Sequence, residues 1–355
     1  MSQNTKAKSM LGRYCCAVLL LVAPTSAWGQ SPAAVETPDK TAGRSPARGW
    51  ADIGGMFRYE PTGLSLLRPF ERGKVPVVFI HGLWSSPWSW SRMIEGLEAD
   101  RALRDRYQFW TFGYSTGDPL PHSAALLRGN LDEVRRKFDP AGSDRAFDKM
   151  VIVGHSMGGL LSKMMVQETG DRLWQIISDR PVDELAGDPA DRELFRRALF
   201  YKPRPEIRRV VFIATPHRGS QVDQGPLGHL GSRLIRLPDP LRESYNRLIA
   251  SNRPDFFNER FRKGLPTSVD ELEWRSTILM RLDQLGLAPT IKAHSIIAVQ
   301  HDPPTARGGD GMVPYDSAHL DGVASELLVS SGHLCQDKPA VIREVRRILL
   351  EHQAD

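Results

Sequence analysis

MVIVGHSMGGLLSKMMVQE, residues 150–168, changes its pattern midway. Met150 to Val153 is an uninterrupted apolar run of strand type, and from Met157 onward the apolar residues recur at helical spacing. Between them stands Gly154-His155-Ser156-Met157-Gly158, a G-x-S-x-G pattern. A strand that turns this sharply into a helix forces the serine into a strained conformation and exposes its hydroxyl. Gly154 and Gly158 flank the turn because side chains there would collide with neighbouring backbone. The opening of the helix adds free N–H groups and the positive end of its dipole. Ser156 is therefore the candidate nucleophile. The rival reading is a glycine-rich turn in some other α/β chain; strand before and helix after speak against it.

The same alternation runs through the chain. Apolar runs at Val75–Ile80, Tyr107–Phe112, Arg209–Ala214, His294–Val299 and Glu326–Val329 read as further strands. Trp88–Leu103, Ser123–Phe138, Met157–Glu168 and Ala340–His352 read as helices. Uninterrupted apolar strands between amphipathic helices predict a mostly parallel central sheet with helices on both faces. Residues 72–355 are taken as one domain. Two stretches break the rhythm, at about 171–205 and 221–289, both helix-prone and rich in Arg, Leu and Pro. Each follows the carboxyl end of a predicted strand, where an open α/β sheet places its ligand crevice, so both read as cap or lid material.

A serine nucleophile needs two N–H donors for the developing oxyanion, a base and a carboxylate. Met157, directly after Ser156, supplies one donor. The second is assigned to Leu83 in His81-Gly82-Leu83, just beyond the run Val75–Ile80; His81 reads alternatively as a plain support of that turn. Asp310, in Gly308-Gly309-Asp310-Gly311, follows the run His294–Val299 and is the candidate acid. His333, in Ser331-Gly332-His333, follows the run Glu326–Val329 and is the candidate base. The order Ser, Asp, His is the one expected for this kind of sheet. Asp302 and Asp316 rival Asp310, and His301 and His319 bracket its loop, but neither histidine directly follows a late strand on a glycine hinge. His122, His229 and His352 read as solvated, and Glu326 lies inside a strand run.

The amino terminus differs in kind. Lys6, Lys8 and Arg13 precede the short apolar run Cys15–Ala23, and then come Pro24 and small residues. That is the layout of a secretory signal peptide over residues 1–29, cleaved after Ala27 or Gly29. An uncleaved membrane anchor is the second reading, though the run falls short of the roughly 20 apolar residues of a span. Residues 30–71 read as a flexible leader and an irregular start of the domain. The expected location is periplasmic or secreted. Loss of residues 1–29 removes three basic and no acidic residues, so the net charge falls from +5 to +2. A high overall pI is then weak support for a nucleic-acid partner, and no nucleic-acid motif is present. Cys335 is left as the single cysteine, which excludes an intramolecular disulfide; without ligand-spaced partners it is a packed thiol, and no metal or cofactor is expected.

Taken together, HGLW (81–84), FGYSTGDPL (112–120), GHSMGG (154–159), ATPHRGS (214–220), GGDGMVPYDSA (308–318) and SGH (331–333) carry a resemblance. The chain resembles the lipase and esterase branch of the α/β-hydrolases, more narrowly the serine esterases that include GPI inositol-deacylase-like lipases. The resemblance spans about residues 75–350, apart from the two insertions, and implies the α/β-hydrolase fold with a helical cap. It also implies a Ser156–His333–Asp310 triad and hydrolysis of carboxylic esters on an ester or lipid-like small molecule. Asp310 follows Gly309, where relatives commonly have serine. His81, Gly82, His155, Thr215 and His217 become candidates for shaping the pocket, His217 reading as structural before catalytic. Two other readings stay open: an acyltransferase using the same triad, and a non-catalytic binding protein on the same fold, which would usually have lost a triad member. Leu230–Leu241 reads as a solvated amphipathic cap helix, with peripheral membrane contact as the alternative.

Overall fold

The computed structural model describes residues 62–220 and 237–354. The expected signal peptide, the leader as far as residue 61, and most of Leu230–Leu241 lie outside the described residues. All six apolar runs become strands of one sheet. They are β2 (Val75–Ile80), β3 (Tyr107–Gly113), β4 (Met150–His155), β5 (Ile207–Ile213), β6 (Lys292–Val299) and β7 (Ser325–Ser330). Ahead of them β1 (Gly63–Leu66) adds an antiparallel edge against β3, in a stretch expected to be irregular. The order is β1-β3-β2-β4-β5-β6-β7, and every neighbouring pair except β1–β3 is parallel. After β2 the chain lays β3 on one side and β4 on the other. Strand order therefore reverses between the carboxyl ends of β2 and β4, which is where such sheets bind ligands.

The two-residue period of each strand divides the core. Val78, Ile80, Ile152 and Phe212 pack with Leu127, Leu131, Leu160 and Leu161 from the helices Leu120–Phe138 and Met157–Met164. The alternate residues Val77, Phe79, Val153 and Ile213 pack on the other face with Met93 and Leu97, and with Val345 and Ile348 of the helix Pro339–Ala354. Each such side chain contributes roughly 1.5–3 kcal/mol when fully buried. The helix after Ser156 ends at Met164, short of the expected Glu168. There the two insertions return to the sheet: Arg204 donates its N–H to the Met165 carbonyl, and Ala288 to that of Val166. These partners replace continued helical bonding.

The insertions fold together into a cap. Its described helices include Pro189–Leu199, Asp239–Ser251, Ser268–Glu271 and Thr277–Gln284. Asp191 accepts from Ser244 at 2.6 Å and twice from Arg247 at 2.8 Å, which ties the first insertion to the second. Two histidines expected in solvent are buried instead. His122 sits under the cap, and on the far side of the sheet His352 Nε2–H donates to the Lys149 carbonyl at 2.7 Å. Both were misjudged because burial is decided by the segments packed over them, not by their own helices.

Candidate active site

The nucleophile position follows from steric rules at the end of β4. Ser156 has φ 53° and ψ −125°, a region costing a non-glycine residue about 1–3 kcal/mol. The strain is held because the Ser156 N–H donates to the Ile213 carbonyl at 2.8 Å and the following helix packs hard against β2. A Cβ on Gly158 would stand 2.2 Å from the Ile80 oxygen, so only glycine lets the helix start there. A Cβ on Gly82 would stand 2.9 Å from the Ser156 Cβ, which shows how closely the His81–Leu83 loop covers the nucleophile.

Three of the sequence-predicted residues meet in one relay. His333 Nε2 lies 2.8 Å from Ser156 Oγ, and His333 Nδ1 lies 2.7 Å from Asp310 Oδ2. A carboxylate can only accept, so Nδ1 carries the proton and Nε2 is left to accept from the serine hydroxyl. Asp310 is oriented from behind, its Oδ1 accepting from the Met312 and Val313 N–H groups at 2.9 and 2.7 Å. Gln300, on the loop after β6, adds a side-chain bond to the Asp310 carbonyl at 3.1 Å. Ser156 is 7% and His333 8% exposed, so the relay is sheltered yet reachable. Asp302, Asp316, His301 and His319 make no hydrogen bond to Ser156 or His333 among the described residues.

Met157 is the first residue of its helix, where an N–H has no partner within the helix. The Leu83 N–H makes no hydrogen bond among the described residues, whereas the next one, Trp84 N–H, reaches Thr116 Oγ1 at 3.4 Å. Both proposed oxyanion donors are thus without a backbone partner among the described residues, and the loop that carries Leu83 lies against Ser156 at Gly82. His81 is buried and stacks on Tyr114 at 4.5 Å. Burial pushes its ring down to about 4, so it is neutral near pH 7, and its Nδ1–H donates to the Gly82 carbonyl at 3.0 Å. That bond orients the Gly82–Leu83 peptide.

The other pocket candidates face elsewhere. Burial, reinforced by His333, pushes His155 down to about 3; its neutral ring donates Nε2–H to the His333 carbonyl at 2.9 Å and braces the base loop. Thr215 is buried under the nucleophile helix, where a Cβ on Gly159 would strike its hydroxyl. His217 is fully buried edge-on against Phe212, and desolvation holds its ring neutral. Sequence reasoning passed over Tyr114, whose hydroxyl donates to the His81 carbonyl at 2.8 Å, although it lies within the quoted FGYSTGDPL. It also passed over Lys163, Arg218 and Asp283. Lys163 is buried and 3.5 Å from Asp283 of the cap, while Arg218 Nε donates to Asp283 at 3.0 Å. A single lysine in the apolar run LLSKMM was the available signal. Among the described residues no group of three or more His, Cys, Asp or Glu is placed to hold a metal ion.

Residues 77–345 match the profile of the alpha/beta hydrolase family. None of the curated proteins matches this sequence. Among solved structures, a lipase of Bacillus licheniformis, BlEst2, is similar in its propeptide form at 17% identity, covering 79% of this chain and 51% of that one, with a TM-score of 0.45. The present chain thus spans about half the length of that structure. The mature form of the same lipase is 18% identical over 79% of this chain and 93% of that one, TM-score 0.43. An esterase, EaEST, from Exiguobacterium antarcticum is 12% identical over 80% and 94%, TM-score 0.42.

Proposed function

Because this chain belongs to the alpha/beta hydrolase family, we propose that it is an exported serine hydrolase cleaving carboxylic ester bonds of small or lipid-like substrates. The observation that carries this reading is the Ser156–His333–Asp310 relay, at 2.8 and 2.7 Å, on the carboxyl edge of the sheet. His333 Nε2 takes the hydroxyl proton as Ser156 Oγ attacks the ester carbonyl. The Met157 and Leu83 N–H groups receive the oxyanion; one such donor is worth about 10²–10³ in rate. His333 then hands its proton to the leaving alkoxide, and the alcohol departs from an acyl-enzyme. Water, activated by the same imidazole, attacks the acyl carbonyl and releases the acid. Asp310 holds the tautomer and stabilises the imidazolium throughout.

The test is hydrolysis of p-nitrophenyl esters from acetyl to palmitoyl by the parent and by Ser156→Ala. Activity in the parent that falls by roughly 10⁴-fold or more in the variant supports the reading. A parent inert on every chain length, or a variant that retains activity, rejects it.

A further inference from the structure

The segment that leaves β3 runs beside the His81–Leu83 loop, and one of its residues holds that loop at two points. Tyr114 directly follows β3, whose Phe112 pairs with Ile80 at the end of β2. Its hydroxyl donates to the His81 carbonyl at 2.8 Å, and no other group among the described residues donates to that oxygen. Its ring stacks on the His81 ring, with centroids 4.5 Å and planes 21° apart, and on Phe112 at 5.6 Å. Burial raises the Tyr114 hydroxyl above the ordinary tyrosine range, so it keeps its proton and donates. The His81 carbonyl also lies against the nucleophile helix, where a Cβ on Gly158 would stand 2.5 Å from its oxygen.

These contacts reach the chemistry through one peptide. His81 Nδ1–H donates to the Gly82 carbonyl at 3.0 Å, and the Gly82–Leu83 bond is trans. In a trans peptide the N–H points away from the C=O, so fixing the Gly82 carbonyl fixes the direction of the Leu83 N–H. The imidazole holds that direction only while its own backbone and ring plane are held, and Tyr114 holds both. On the other side of Leu83, Trp84 has φ 51°, which a bulky residue rarely adopts. Its N–H reaches Thr116 Oγ1 at 3.4 Å, on the same segment as Tyr114. We propose that Tyr114 is a positioning residue of the oxyanion hole, acting through His81 to aim the Leu83 N–H at the oxygen of the tetrahedral intermediate. The proposal rests on the ester-hydrolase reading and adds to it a residue that is hydrogen-bonded to no member of the triad.

The test compares Tyr114→Phe with the parent in p-nitrophenyl ester hydrolysis and in binding an alkyl trifluoromethyl ketone. Ser156 Oγ adds to the ketone carbon, the hydroxyl proton passes to His333, and the carbonyl electron pair becomes an oxyanion in the hole. The matching methyl ketone, bound without that addition, is the ground-state control. Losing one oxyanion donor costs about 10²–10³ in rate, and a misaimed donor keeps part of its effect, so kcat should fall about ten- to hundredfold. Affinity for the trifluoromethyl ketone should fall by the same factor, while KM and methyl-ketone affinity stay within about twofold. The variant keeps the ring and both of its stacks, and circular dichroism checks the fold. His81→Phe keeps a stacked ring but removes the donor to Gly82. Because Tyr114 acts through His81, the double variant should lose far less than the product of the two single losses. The proposal fails if kcat is unchanged, if KM rises in place of the fall in kcat, if ketone affinity does not follow kcat, or if the two losses multiply. A parent inert toward both the esters and the trifluoromethyl ketone rejects the hydrolase reading itself, so the two failures can be told apart.

Discussion

The crevice edge and the cap are held in place by different forces. At the edge, strand ends and close-packed backbone place the groups: Ser156 by its own N–H and Gly158, Asp310 by two loop N–H groups, His333 by the His155 ring. The supporting histidines His81 and His155 are neutral there. The cap is joined through side chains instead: apolar ones such as Leu173, Leu248, Phe257 and Leu282, which share one cluster with the sheet core, and charged ones, Asp191 with Arg247 and Asp283 with Lys163 and Arg218; a half-open cavity lies among its helices. Chemistry needs positions held to about 0.5 Å, which rigid strand ends supply. Binding surfaces tolerate more play and sit on inserted segments. Damage at the edge should therefore cost rate without stability, and damage at the cap should do the reverse.

Asp310→Asn is the sharpest way to break that contrast. The amide oxygen can still accept from Met312 and Val313, so the loop should keep its shape. The amide nitrogen then faces His333 Nδ1 and donates to it, which puts the ring proton on Nε2 and leaves nothing to accept from Ser156. The expected loss is about 10⁴-fold in kcat, with a thermal midpoint close to that of the parent. Steady-state kinetics beside thermal denaturation checks both halves. A large fall in midpoint with the activity loss would mean that the edge is as soft as the cap.

Asp283→Ala attacks the other region. It leaves the Lys163 ammonium, 1% exposed, without its carboxylate and frees Arg218 from the cap. Stranding a buried charge costs about 3–5 kcal/mol, and the lower end applies because Asp283 retains 17% exposure. Urea denaturation should show a loss of about 3 kcal/mol. The kcat on a short p-nitrophenyl ester should stay within about tenfold of the parent. A loss of rate equal to that of Asp310→Asn would show the cap to be part of the chemical machinery.

What could be read from the sequence divides along the same line. The six apolar runs and the order of Ser156, Asp310 and His333 are local patterns, each set by a strand followed by a tight turn. β1 has no such pattern: GLSL at 63–66 becomes a strand only because β3 lies beside it and Asn130 Oδ1 accepts the Leu64 N–H at 3.0 Å. His155 was expected to shape the pocket, and its bond to the carbonyl of His333 joins residues 178 positions apart. The burial of His122 and the partners of Lys163 depend on the cap, whose own segments meet across 53 to 82 positions. Loop closure over such distances leaves no periodicity for a sequence reading to find.

The smallest expected effect tests the seam between the regions. Glu271 of the cap is buried, and its Oε2 accepts the Leu120 N–H at 2.6 Å, at the start of a core helix. Desolvation raises its carboxyl from 4.5 to about 8; Asp270 adds to the rise, while the Leu120 N–H and Arg260 oppose it. Between pH 4.5 and 8 the folded chain thus keeps a proton that the unfolded chain has released. The contribution of Glu271 to stability is complete below pH 4.5 and is lost as pH rises through 8. Glu271→Gln still offers an oxygen to Leu120 but does not titrate. Its stability relative to the parent should therefore climb by about 2.5 kcal/mol from pH 5 to pH 7 in urea denaturation. Parallel pH profiles for the two proteins would mean that the carboxyl is hydrated, and that the cap meets the core less tightly than these contacts imply.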